Sequence, residues 1–226
     1  MLTILFVEAS LELVPRQIAR HPAVTQNAKR WGKKPDEVLL DRSFHHHAML
    51  SLSEGEKRGR PDILQFCLLE ALGSPLNKTR GLKLLVHTLN GDLLDVSSEL
   101  RLPRDCYRYR SLMEQLFAAG RVPPGNEASL ITLMKNSISN AKREITPSRT
   151  FALTSHGKAQ KLSELCLELA AETKPLIFIG AYPHGAMREE TLAEADEAVS
   201  IHPMALEAWV VTSRLVYEYE KATGLE

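Results

Sequence analysis

The chain of 226 residues carries 28 basic and 28 acidic side chains, so its formal net charge is zero and bulk electrostatics do not point to nucleic acid or an anionic membrane. Hydrophobic residues make up 44% and charged residues 25%, the balance of a globular chain rather than a disordered or membrane-embedded one. Cys67, Cys106 and Cys166 are odd in number, lack a Cys-x-x-Cys spacing and sit among apolar or helix-forming residues, which predicts buried thiols rather than disulfides or a zinc site.

The opening LTILFVEAS reads as a buried strand ending in a turn, with a helix expected after it. Residues 35–52 are ambiguous between strand end, helix and loop, and 53-SEGEKRGRP-61 reads as a charged loop. Apolar spacing predicts a helix over 62–74, with Asp62 as its cap and Gly73 as its stop. The runs 82-LKLLVHTL-89 and 92-DLLDV-96 flank Asn90-Gly91, a strong signal for an antiparallel hairpin. A helix over 110–120 ends in glycine, and apolar residues at helical spacing predict another over 129–144.

A short strand over 150–155, ended by His156-Gly157, precedes an amphipathic helix within 158–173. The apolar stretch 174-KPLIFIG-180 reads as a buried parallel strand that breaks into the loop 180-GAYPHG-185. A last strand near 197–201 leads into a long helix over 203–224, with Pro203 near its start and Gly224 at its end. Strands alternating with helices, plus one hairpin, make the chain α/β. No run is long enough to span a bilayer and no secretion signal opens the chain, so a cytoplasmic location without membrane attachment is expected.

Three groups of residues bear on chemistry. His45, His46 and His47 are consecutive, so on a helix or a strand their rings point in different directions and cannot converge on one metal ion. The loops 153-LTSHG-157, 180-GAYPHG-185 and 200-SIHPMAL-206 each follow a predicted strand, and strand carboxyl ends are where α/β sheets bind ligands, so these three can line one pocket. Arg101, Arg104 and Arg108 are spaced to share one face if the segment is helical, with Tyr107 and Tyr109 interleaved; guanidinium forks suit phosphate and tyrosine rings suit bases, while a solvated basic face is the plainer alternative.

The order of motifs 58-RGRPDILQFCLLEALGSPLNKTRGLKLLVHT-88, 101-RLPRDCYRY-109, 112-LMEQL-116, 133-LMKNSIS-139, 177-IFIGAYPHG-185 and 200-SIHPMALEA-208 resembles the SPOUT-class small-subunit ribosomal RNA methyltransferases that act on nitrogen 1 of a pseudouridine. The resemblance spans nearly the whole chain. It implies one domain over residues 1–226 with the SPOUT methyltransferase fold, a C-terminal trefoil knot over about 150–226, and an additional β-rich insertion within about 40–110. It implies S-adenosylmethionine held in the knot by Leu153, Thr154, Ser155, Gly157, Ile179, Gly180, Ala181, Gly185, Ser200, Ile201, Met204, Ala205 and Leu206.

For the RNA, the same resemblance implies contacts from Arg60, Asp62, Arg101, Arg104 and Arg108, an Arg60–Asp62 ion pair beside the acceptor, and Asp62 as the candidate proton acceptor. It also implies a homodimer, with Trp209, Val210 and Leu215 of the last helix seeking a partner surface, and further ribosome-assembly proteins as partners. Tyr182 and Pro183 depart from the pattern, which leaves their side chains without an implied role. Of the histidines only His45 has a counterpart, with a hydrogen bond in the first-half sheet expected of it, and the short N-terminus is that of an archaeal-type member. The competing reading is an RNA-binding assembly factor whose cofactor site is vestigial.

Overall fold

A computed structural model describes residues 1–125 and 128–225. The elements in chain order are β1 (Leu2–Ala9), α1 (Pro22–Arg30), α2 (Arg42–Met49), α3 (Pro61–Gly73), α4 (Pro75–Lys78), β2 (Leu82–Thr88), β3 (Asp92–Val96), α5 (Cys106–Ala119), β4 (Arg121–Val122), β5 (Ile131–Lys135), α6 (Ile138–Ile145), β6 (Arg149–Ala159), α7 (Leu162–Ala171), β7 (Pro175–Gly180), α8 (Glu189–Leu192), β8 (Glu197–Ser200) and α9 (Ala208–Ala222). The strands form one eight-stranded sheet in the order β4-β5-β3-β2-β1-β7-β6-β8. Its half from β2 to β8 is parallel, and β3, β5 and β4 extend the other edge antiparallel.

Alternation along the strands explains the layering. Leu2, Ile4 and Phe6 of β1 join the larger core with Ile177, Ile179 and Phe151, while Leu5 and Val7 join Leu176, Phe178 and Ala152 on the opposite face. Helices α3, α5, α7 and α9 cover the first face through residues such as Leu64, Met113, Leu165 and Leu215, and α6 covers the second through Ile138 and Ala141. Because β1 lies mid-sheet between β2 and β7, all eight of its residues are buried.

Several expectations need correction. The helix expected after β1 is α1, which begins at Pro22 after an irregular stretch. The cap of α3 is Arg60 rather than Asp62, which sits in the first turn. The stretch 129–144 is not one helix: Ile131–Lys135 is a strand pairing with β3 and β4, and only the remainder is α6, because an edge strand running into a helix imitates the helical period until its sheet partners are known. Strand β6 continues past His156-Gly157 to Ala159. Helix α9 begins at Ala208, leaving Pro203 in the preceding loop.

Side-chain placement differs too. Leu215 is fully buried in its own chain, so it faces no partner. Cys67 and Cys166 are buried free thiols, pushed by burial up to about 12, whereas Cys106 is exposed at the start of α5. His45 lies on α2, not in the sheet, and its Nδ1 accepts the Asp41 N–H at 3.1 Å. Among the described residues no group of three or more His, Cys, Asp or Glu is placed to hold a metal ion, and no helix is long and apolar enough to cross a membrane.

Candidate functional site

The carboxyl ends of β6, β7 and β8 open into one cleft of about 260 Å³, walled by the three predicted loops. In β6 the register against β8 jumps from Leu153 to Lys158, both opposite Val199, so Thr154 to Gly157 leave the ladder, and Thr154 and Ser155 among them line the cleft. Gly157 permits this: a Cβ there would stand 2.5 Å from Val199 N and 2.6 Å from the Ala198 carbonyl, a collision with rigid main chain. Beyond β8 the loop is self-braced, since Ser200 Oγ donates to His202 O at 3.1 Å and the Met204 N–H donates to His202 Nδ1 at 3.2 Å. Its far end, Glu207 and Ala208, lines the cleft and starts α9, whose first N–H groups have no side-chain cap and carry partial positive charge.

Leu153, Thr154, Ser155, Ile179, Gly180, Gly185, Ser200, Ile201, Met204, Ala205 and Leu206 all line this cleft. Gly157 and Ala181 do not. Gly157 sits behind the wall against β8, and Ala181 is fully buried, its N–H bonded to Val7 O and its carbonyl accepting from Ser10 N–H. Glu207 and Val211, outside the three predicted loops, line the cleft from the start of α9, and Tyr182 and His202 line it from within those loops. Gly180 also has another reason than ligand approach: a Cβ would meet the Tyr182 ring at 2.7 Å, so glycine leaves room for that ring.

Beneath the β7 loop lies a set of charges that no sequence pattern announced, with the Glu8–Lys57 and Glu12–Arg58 pairs buried and Arg188 and Glu54 partly exposed. Lys57 Nζ binds Glu8 Oε2 at 2.5 Å and stands 4.5 Å from the centroid of Tyr182, whose phenol is pushed up in pKa by burial. The Arg188 N–H binds the other Glu8 oxygen at 2.8 Å, and the Arg188 guanidinium pairs with Glu54, lowering that carboxyl's pKa mainly through the hydrogen bond. Alongside, Arg58 forks onto Glu12 at 2.7 and 2.5 Å, and Asn90 Nδ2 adds a bond to Glu12 at 2.7 Å. Glu8 and Glu54 hold left-handed backbone at φ +52° and +51°, a conformation costing about 1–2 kcal/mol that these ion pairs enforce. The network ties the end of β1, the loop before α3 and the start of α8 into one rigid floor.

Of the residues expected to face RNA, Arg60 and Asp62 follow Arg58 of this floor closely in the chain. Arg60 holds Asp62 through Nε and Nη2 at 2.8 Å each, and its own N–H is fixed by Ser10 Oγ at 2.8 Å. Arg101 and Arg104 precede α5 and only Arg108 is helical, so the three do not share a helix face. Arg104 is instead brought to α3 by Gln65, whose Nε2 donates to Pro103 O at 3.0 Å and Arg104 O at 3.2 Å. Arg101, Arg104 and Arg108 are all exposed. Tyr109 is core, Tyr107 surface.

The family model described as EMG1/NEP1 methyltransferase matches residues 4–220. The protein named ribosomal RNA small subunit methyltransferase Nep1 of Staphylothermus marinus is 41% identical over 215 residues, 95% of this chain and 93% of its own. Its namesake in Archaeoglobus fulgidus is 43% identical over 219 residues, 96% and 94% of the two chains. The crystal structure of Archaeoglobus fulgidus Nep1 bound to S-adenosylhomocysteine matches with a TM-score of 0.87 at 40% identity, covering 98% of each chain. Sheet, cleft and these likenesses together define an α/β methyltransferase of the SPOUT kind. Within that class, the chain belongs to the EMG1/NEP1 methyltransferase family.

Proposed function

We propose that this protein transfers a methyl group from S-adenosylmethionine to ring nitrogen 1 of a pseudouridine in small-subunit ribosomal RNA, in the course of ribosome assembly in the cytoplasm. The observation that carries the reading is the three-loop cleft, in a chain whose fold matches a Nep1 structure containing S-adenosylhomocysteine. The residues fit that cofactor. Leu153, Ile179 and Leu206 offer apolar walls for a purine, while Ser155, the main chain of the loops and the uncapped start of α9 offer polar partners for its ribose and amino-acid parts. Gly157 and Ala181 support the walls from behind.

When bound, S-adenosylmethionine supplies an electrophilic methyl group on a sulfonium. The chain's own work is then to position the acceptor and accept its proton. Pseudouridine, linked to ribose through carbon, keeps an N1–H that uridine lacks, so the reaction needs a proton acceptor near that nitrogen. Asp62 is the carboxylate proposed for it, held in place by Arg60. Arg101, Arg104 and Arg108, all exposed and with the Arg104 carbonyl anchored to α3 by Gln65, take the phosphates.

A single domain with its knot over about 150–226 and its insertion within about 40–110 belongs to this reading. So does a homodimer: Phe66 and Trp209 meet at 5.5 Å between centroids across α3 and α9, and Phe66, Leu167 and Tyr217 leave apolar surface exposed on three neighbouring helices. Methyl transfer to a pseudouridine-containing hairpin, with none to the uridine control, is the expected outcome. Equal transfer to both removes the pseudouridine assignment. Failure to bind S-adenosylhomocysteine by calorimetry, with RNA binding intact, would leave an assembly factor with a vestigial site.

A further inference from the structure

Trp31 and Tyr107 meet each other at the surface, with ring centroids 5.5 Å apart and planes tilted by 42°. They remain 47% and 52% exposed, so core burial does not account for two large aromatics at this place. Trp31 closes α1 directly behind Lys29 and Arg30, and Tyr107 stands in the first turn of α5 beside Arg108. The pair is held from both sides. Lys33, two residues after Trp31, pairs with Glu114 of α5, whose other oxygen accepts the Leu39 N–H at 2.9 Å. Residues 107 and 114 are two helical turns apart on one face of α5, so the ring contact and the ion pair clamp the Trp31 turn along that face.

The surroundings select a polyanion. Lys29, Arg30, Arg104 and Arg108 are exposed around the rings, and the side chains of Arg104 and Arg108 make no ion pair among the described residues. The patch also continues the track already described: Arg60 holds Asp62, and Gln65, one turn further along α3, fastens Arg104. Tyr107 follows Arg104 by three residues.

We propose that Trp31 and Tyr107 form a stacking platform for an unpaired nucleobase of the RNA, flanking the nucleotide that enters the cleft. This rests on the RNA methyltransferase reading and extends it to a contact outside the cleft and the arginines. The π-face of a base lies on the exposed rings while the neighbouring cations hold its phosphates; only unpaired RNA offers a free base face, because bases within a duplex are already stacked.

The test is a binding titration of a pseudouridine hairpin with unpaired flanks, and of the same hairpin trimmed of them, to wild type, Trp31→Ala, Trp31→Phe and Tyr107→Ala. S-adenosylhomocysteine affinity serves as the control for folding. Trp31→Ala is expected to weaken binding of the flanked hairpin about tenfold, and Trp31→Phe much less. The salt slope is expected to stay unchanged, since no phosphate contact is lost, and the trimmed hairpin is expected to bind every variant alike. Wild-type affinity of Trp31→Ala for the flanked hairpin, or equal losses on both hairpins, overturns the platform, as does a drop in oligomer mass with RNA binding intact. Should Trp31→Ala fail to fold, Tyr107→Ala decides by the same criterion. A wild type that shows the flank-dependent binding but transfers no methyl group leaves the platform standing and removes the methyltransferase reading.

Discussion

The Arg60 guanidinium grips the Asp62 carboxylate with two nitrogens, across the first turn of α3. Both partners are more than a third exposed, so water screens the pair and its share in fold stability is about 0–1 kcal/mol. The geometry suits presentation of a carboxylate better than bracing of a core.

Asp62→Asn is therefore expected to leave the urea midpoint and the affinity for S-adenosylhomocysteine near wild type while kcat/KM on the RNA falls at least about tenfold. A stability loss of several kcal/mol, measured in the same denaturation series, would assign Asp62 a structural role instead.

The Glu8–Lys57 pair behaves differently because its side chains are only 2% and 7% exposed. Lys57→Met leaves Glu8 buried without its cation, and a loss of about 3–5 kcal/mol is expected from urea unfolding. The double variant Glu8→Gln with Lys57→Met is expected to recover part of that loss, since the stranded charge is then gone. Additive losses would contradict a coupled pair.

His45 sets a pH dependence. Burial, the largest influence, outweighs the attraction of Asp41 and brings its pKa down to about 4, with Arg110 acting in the same direction as burial. The unfolded chain thus takes up this proton near the ordinary histidine value of 6.5, before the folded chain does. Stability from neutral His45 is complete above about 6.5 and is lost as pH falls from there toward 4, by about 3 kcal/mol at most. His87 is depressed by burial in the same sense. His45→Asn is expected to flatten the stability slope over this window by about one proton's worth in urea titrations; an unchanged slope would show that His45 does not carry it.

Gly157→Ala is expected to lower stability by ~3 kcal/mol, because the added carbon meets the main chain of Ala198 and Val199, and to abolish S-adenosylhomocysteine binding. Gly73→Ala, at the last residue of α3 with nothing within 4 Å of the new carbon, is expected to be neutral or to stabilise by about 0.5 kcal/mol. Thermal melts of the two proteins side by side check the contrast.

Arg104→Ala is expected to reduce the slope of log affinity against log salt by about 0.7–0.9, the share of one phosphate. Affinity should fall evenly across RNA sequences. Measurement at four or more salt concentrations separates this from the stacking loss expected of Trp31→Ala.

Local pattern carried much of the architecture. The uninterrupted apolar runs Leu2–Val7 and Pro175–Gly180 announced central strands because a strand covered on both faces has no polar side, and Asn90-Gly91 announced the β2–β3 turn because Gly91, at φ +80°, takes a conformation glycine adopts freely. Three strand ends were enough to indicate the cleft. Ile131–Lys135 misled for the same reason that the others succeeded: five residues of an edge strand have too few turns of pattern to exclude a helix, and pairing with β3 decides the matter.

The sequence by itself determined six of the eight strands, most helices, the three cleft loops and the arginines beside Asp62, all of which are encoded by neighbours in the chain. Only the tertiary structure decided which of those residues touch. Gly157 turned out to be a backbone-packing residue and Gly180 a seat for Tyr182, Glu8 found Lys57 and Arg188 across 49 and 180 residues, and Trp31 found Tyr107. Such contacts join segments far apart in the chain, and no short-range period records them; the order of the sheet brings them together.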